Sequence, residues 1–324
     1  MAVSLPGLAA LAALLFTWMQ VGQASKELRI SEQGQVTNRF NAAIGNLGSA
    51  SPDVRLGGIY ALQRIMQDSG RDHPPIVSVL AAYVRQHAGA STASKKEPTA
   101  AAHTPSSDVR AAIAVLANRH TDRDEGALVD LSNVDLRGLR ITEAKRIKFP
   151  KADLTDTDLR WAALNGADLH GSVMVGTNLE RAHLDKADLR GAHLGYTHLR
   201  YAYLRYADLR DAQLYGADVR SVDLDDAHLR WADLRDADLR MADLRRAGAS
   251  NADLADADLR DAYLIDTDLV GAALTRADLR HADLTNADLS YADLSNADFR
   301  DAELTGVNLT GATLTGARGL PKRS

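Results

Sequence analysis

The 324-residue chain has no cysteine. Disulfides and cysteine-ligated metal sites are therefore excluded. Aromatic residues are scarce, at 5%, and the charges nearly balance, with 38 Lys and Arg against 43 Asp and Glu. A net charge of −5 lacks the positive field that nucleic-acid binding draws on. No glycine-rich phosphate loop is present. The ten His residues show no zinc-motif spacing. Catalysis finds no footing, because Asp recurs through a repeat and a chance His-Asp-Ser trio is expected on such a surface. The length allows two or three domains.

What the chain does have is a period of five. Every fifth position from Leu154 to Leu314 is Leu, apart from Met174, Val219, Ala249 and Phe299. Two residues earlier stands a small residue, usually Ala, and between them most often Asp, as in Ala232-Asp233-Leu234-Arg235-Asp236. Neither helix nor strand periodicity fits five, so the pattern indicates a solenoid. Leu and the preceding Ala share a parity and point to the same side of an extended segment. Leu then fills the axis while Ala lets the corner close. Gly248-Ala249 removes a Leu from the column and predicts a thinner core there.

This pattern resembles the pentapeptide-repeat family, with its motif A(D/N)LXX. The resemblance implies an all-β solenoid, a right-handed quadrilateral β-helix in which four pentapeptides form the sides of one coil. The family is better defined by fold than by activity. Three earlier units are in frame, Val129-Asp130-Leu131, Val134-Asp135-Leu136 and Leu139-Arg140-Ile141, before the frame slips at the basic stretch Lys145 to Lys148. The solenoid is therefore expected over 129–318, with a tail at 319–324.

Upstream, the sequence predicts an α-helical region. Leu5 to Val21 is an uncharged apolar run, with Trp18 near its end and Lys26 and Arg29 just after it. It predicts a transmembrane helix within an anchor segment, 1–25. A cleaved signal peptide is the rival, but Met1 to Leu5 carry no Lys or Arg and Gly22-Gln23-Ala24 is a poor cleavage site. By the positive-inside rule the expected location is the inner membrane, single-pass, with the bulk of the chain cytoplasmic. A helical module is expected over 26–87, with helix starts near Ser31, at Pro52 and at Pro74-Pro75. A flexible linker follows at 88–107 and a further helix at 108–120. Asp53-Val54-Arg55-Leu56 and Asp108-Val109-Arg110-Ala111 echo each other, a pattern similar to HEAT units. The layout as a whole also resembles bacterial membrane-anchored pentapeptide proteins.

A coil of twenty residues stacks positions twenty apart. Arg200, Arg220, Arg240, Arg260, Arg280 and Arg300 then form one column, with His198, Asp218, Asp238, Asp258, Asp278 and Asp298 beside it. The plain interpretation is a self-neutralised, solvated wall. The functional one is a docking strip for a partner of alternating charge. Trp161 and Tyr201 share a neighbouring column and are candidates for the same partner surface. Some pentapeptide proteins mimic duplex DNA and bind gyrase. From Lys151 to Arg318 the chain carries 30 Asp and Glu against 19 Lys and Arg, yet the Arg column interrupts the negative field a mimic needs. The expected function is a non-enzymatic, membrane-anchored scaffold or adaptor that binds an unknown protein partner through its rigid wall. A gyrase-binding DNA mimic is the alternative. No cofactor and no nucleic-acid partner are expected.

Overall fold

The computed structural model describes residues 5–90, 104–141 and 146–320. They fall into two compact units, residues 1–69 and 70–324. The expected linker therefore lies mostly outside the described residues, as do part of the basic stretch and most of the tail.

The first unit is a helix pair. Helix α1 runs Leu5–Leu47 without a break and α2 runs Pro52–Asp68. Ser51 precedes α2, Pro52 opens it and Asp53 lies in its first turn, an arrangement that suits a helix N-terminus. Ile59, Leu62, Ile65 and Met66 are buried along one side of α2. Gly58 marks the close approach of the pair, since a Cβ there would meet the Ala43 carbonyl oxygen at 2.8 Å.

Helix α1 corrects the membrane expectation. Among the described residues, no helix is long and apolar enough to cross a membrane. The apolar run from Leu5 to Val21 has 17 residues. At about 1.5 Å per residue it reaches roughly 26 Å, short of the roughly 30 Å hydrocarbon core. The same helix then continues through Lys26, Glu27 and Arg29. The single-pass inner-membrane assignment, its transmembrane segment and the separate helix start near Ser31 are therefore withdrawn.

The second unit begins with α3, His73–His87, and α4, Ser107–Ala117. Tyr83 of α3 donates to Asp108 Oδ2 of α4 at 2.6 Å, in the interior. Both helices bury their apolar faces, including Ile76, Leu80, Val84, Val109, Ile113 and Leu116. Past α3 the chain joins the coil. Ala90 pairs antiparallel with Val134, and Asp135 N–H donates to the Gly89 carbonyl at 3.1 Å.

From there the chain winds into four-sided coils. From Lys148 onward parallel bridges join residues twenty apart, as in Asp218↔Asp238 and Asp238↔Asp258. The first coil is longer. Asp130 pairs with Asp153 and Asp135 with Asp158, a separation of 23, so the frame slip near Lys145 is three extra residues between Leu139 and Ile147. Among the described residues no extended strand forms. Each side is a single bridge, because a corner follows every Leu.

The corner has a fixed geometry. The Leu carbonyl accepts from the N–H three residues on, as from Ala162 to Leu159 at 3.0 Å. The second residue after Leu takes a positive φ, 59° at Trp161 and 58° at Tyr201, the signature of a type II turn. Inside, Leu and Ala are buried nearly everywhere; Leu239 is 0% exposed and Ala237 1%. Where Thr replaces Ala, its hydroxyl is satisfied. Thr177 Oγ1 donates to the Leu154 carbonyl at 2.7 Å and Thr267 Oγ1 to that of Leu244 at 2.8 Å. At the far end the inward residues Leu304, Leu309 and Leu314 are only half-buried.

Candidate functional site

The bridge residue and the residue after Leu both face outward, two apart. When they are Asp and Arg the side chains meet in a fork. Arg220 Nε and Nη2 donate to the two Asp218 oxygens at 2.7 and 2.5 Å. Arg260 and Arg280 do the same to Asp258 and Asp278, at 2.8 and 2.6 Å in each case. Arg300 grips Asp298 in the same way. The forks also reach upward. Arg220 Nε lies 3.3 Å from Asp238, and Arg260 Nε lies 3.6 Å from Asp278. The column expected from the sequence is therefore a chain of alternating charges running along one wall.

These partners set the acidities. The Arg300 hydrogen bonds hold the Asp298 carboxyl down at about 2. Hydrogen bonds from Arg280 and Arg235 likewise lower Asp278 and Asp233. At Asp218 and Asp238 burial pushes the carboxyl up, but the Arg220 and Arg240 forks outweigh it and both end below the ordinary range. Asp223 has no fork of its own, since Asp225 stands where Arg would, and burial raises it. The guanidinium groups of Arg220 and Arg240 are pushed up by the same forks.

Arg200 is the exception in its column. His198 stands where Asp stands elsewhere, so there is no fork. Arg200 instead lies 4.9 Å from the Tyr201 ring centroid and donates to the Tyr201 hydroxyl at 3.2 Å. From the coil below, Arg181 approaches the same ring at 5.5 Å. Two more vertical pairs stand beside it. His183 stacks on Tyr203 at 4.9 Å with planes 9° apart, and Lys186 lies 5.9 Å from the Tyr206 ring. Among the described residues, Arg181, Lys186 and Arg200 have no carboxylate partner. Tyr201, Tyr203 and Tyr206 are 37%, 41% and 52% exposed.

The structure thus separates the sequence candidates. Arg220, Arg240, Arg260, Arg280 and Arg300 are tied to Asp, whereas Arg200 and Tyr201 sit in a basic-aromatic cluster. Trp161, in the Tyr201 column two coils below, lies 5.5 Å from the guanidinium of Arg160, a buried side chain forked onto Asp158. The sequence shows Tyr203 and Tyr206 among aromatics that cluster in this part of the rod, but not that Arg181, His183 and Lys186 lie against the Tyr rings one coil on. The signal at Arg200 is His198 in place of Asp at the bridge position; Arg181 and Lys186 stand at the corner, two residues after Leu, where no fork forms.

Among the described residues, one group could hold a cation. Asp168, His170 and Asp188 offer ligand atoms within 4.8 Å of one another. His170 is hydrogen-bonded to Asp168 at 2.6 Å, and Arg190 forks onto Asp188 with both bonds at 2.8 Å. A guanidinium bound to one of three ligands opposes a metal at the same place, so the group behaves as part of the ion-paired wall.

Comparisons with known proteins agree with this architecture. Residues 152–191, 182–220, 212–248, 249–280 and 282–318 match Pentapeptide repeats, together just over half of the chain. No curated protein matches. Among solved structures the chain is similar to HetL, a pentapeptide repeat protein involved in heterocyst differentiation regulation from the cyanobacterium Nostoc. That match has 34% identity, covers 58% of this chain and 84% of HetL, and has a TM-score of 0.42. It is similar also to QnrB1, a plasmid-mediated fluoroquinolone resistance protein, at 19% identity over 51% of this chain and 86% of that one, with a TM-score of 0.32. A pentapeptide repeat protein of the Arabidopsis thaliana thylakoid lumen matches at 25% identity over 39% of this chain and 67% of its own length, with a TM-score of 0.14. With its five-residue period, its twenty-residue coils and matching repeats across half its length, the chain belongs to the pentapeptide-repeat family, whose members fold as right-handed β-helices.

Proposed function

We propose that the protein is a non-enzymatic scaffold that binds protein partners through the outer surface of its β-helix. One observation carries the reading: the interior is filled by Leu and Ala while the walls are laced by Asp–Arg forks. Such a body keeps its outward side chains at fixed spacings, so a partner meets a surface already ordered and less entropy is lost on docking. Duplex mimicry finds less support. Each fork cancels a carboxylate, so the wall along Arg220 to Arg300 lacks an unbroken negative field.

The test is affinity capture with the full chain from its source cells, followed by calorimetry with the purified partner. A saturable complex that forms without turnover supports the scaffold. Failure to reconstitute any complex overturns it. Inhibition or protection of gyrase supercoiling by the full chain at micromolar concentration would replace it with the mimic.

A further inference from the structure

We infer that the cluster on coils 181–206 is a docking site for an acidic segment of a protein partner. The inference rests on the scaffold reading and gives that reading a place and a chemistry.

Three observations lead to it. First, the cluster is a grid of two rows. Arg181, His183 and Lys186 form the lower row, and Tyr201, Tyr203 and Tyr206 stand above them, one coil on, at 5.5, 4.9 and 5.9 Å. Second, among the described residues Arg181, Lys186 and Arg200 form no ion pair, whereas Arg205 in the same grid is paired with Asp185. Arg181 and Arg200 both lie within 5.5 Å of the Tyr201 ring, with no carboxylate bound to either. Like charges held on one ring repel, and an anion laid between them relieves that repulsion. Glu180, one coil below Arg200 in its column, forms no ion pair with it. Elsewhere on these walls the typical outward Arg is forked to Asp. Third, exposed Tyr and Arg are the side chains that supply most binding energy at protein interfaces.

The surroundings select protein over nucleic acid. In the next coil the same side carries Asp223, Asp225 and Asp226. Arg246 serves both Asp225 and Asp226, at 2.5 and 3.0 Å. A phosphate backbone running along the rod would leave the grid and meet these carboxylates. A short acidic peptide crossing one side meets a single carboxylate of the lower row, Asp185, which Arg205 already holds at 3.0 Å. Its carboxylates take Arg181, Lys186 and Arg200, and its apolar atoms lie on the Tyr rings.

The probe is a short fluorescein-labelled oligoglutamate peptide, titrated into the full chain at low salt. An oligothymidylate of matched length is run in parallel. One variant combines Arg181→Gln, Lys186→Gln and Arg200→Gln. A control with the same charge change combines Arg235→Gln, Arg245→Gln and Arg280→Gln, all of them forked residues. The expected result is peptide binding that weakens by about tenfold or more in the first variant and by less than about twofold in the control. Melting curves confirm that both variants fold. The inference is overturned if the wild-type chain does not bind the peptide, if both variants lose it equally, or if the oligonucleotide binds as tightly through the same residues. A concentration-dependent dimer abolished by the first variant would overturn it in favour of a second copy of the chain. If a reconstituted partner still binds the first variant, this inference fails while the scaffold stands.

Discussion

Arg240 holds both oxygens of Asp238, Nε to Oδ1 at 2.8 Å and Nη2 to Oδ2 at 2.7 Å. The same Nε lies 3.5 Å from Asp258 in the next coil. Both partners of the fork are partly exposed, so one such link contributes modestly, and its effect comes through repetition along the wall.

The interior outweighs any single link. Leu239 is 0% exposed, so Leu239→Asp places a carboxylate where no partner exists and should destabilise the fold by several kcal/mol. Arg240→Ala should cost less than about 1 kcal/mol. Chemical denaturation of the two variants checks the inward and outward assignment, and equal losses would reject it.

Ala249 stands where its column otherwise carries Leu, as at Leu229 and Leu269. The coil keeps its backbone bonds there, since Ala249 N–H donates to the Asp268 backbone carbonyl at 2.7 Å and Leu229 N–H to that of Gly248 at 2.6 Å. Ala249 is 1% exposed, between Leu229 and Leu269 in neighbouring coils, each also 1% exposed. Ala249→Leu should therefore stabilise the protein by about 1–2 kcal/mol by restoring the missing packing. Thermal melting reads the change, and a lower melting temperature would show the space to be closed.

Acid should loosen the walls. The folded Asp298 carboxyl titrates at about 2, below its ordinary 3.8. A carboxyl depressed by folding stabilises the protein above the unfolded value, and that stability is lost as pH falls through the folded one. Asp233 and Asp278 are shifted in the same direction by their Arg partners. Melting temperature should hold from neutral pH to about pH 4 and fall toward about pH 2. In Arg300→Gln the Asp298 part of this fall should shrink, as measured by the acid midpoint.

Much of the coil was legible in the sequence because each residue has one role. Leu every fifth position gave the filled axis, and the twenty-residue stacking placed Arg220 beside Asp238. The fork itself was less visible. Parity already places the Asp before Leu and the Arg after it on one outward surface, but the two-bond grip of Arg Nε and Nη2 on both Asp oxygens is a side-chain geometry the pattern does not carry. His198 was the readable clue that Arg200 differs. The aromatic-cation grid needed the pairing of Arg181 with Tyr201, a relation across coils that composition hides. Helix α1 departs from the expectation because the apolar run is not a segment by itself: Leu5–Leu47 is one helix that continues through Lys26 and Arg29. That α3 shares a unit with α4 and the solenoid arises from contacts far apart in sequence, such as Ala90 with Val134.

The central claim is a division between forked cations that hold the wall and unforked cations that serve binding. Thermal unfolding of two triple variants tests it most directly. Arg220→Gln, Arg240→Gln and Arg260→Gln together remove three forks and leave their Asp partners to repel along the column, and should cost about 1–3 kcal/mol. Arg181→Gln, Lys186→Gln and Arg200→Gln together remove no ion pair and relieve repulsion at Tyr201, and should leave the melting temperature unchanged or raise it. Equal destabilisation by the two variants, or a larger loss from the second, would contradict the account.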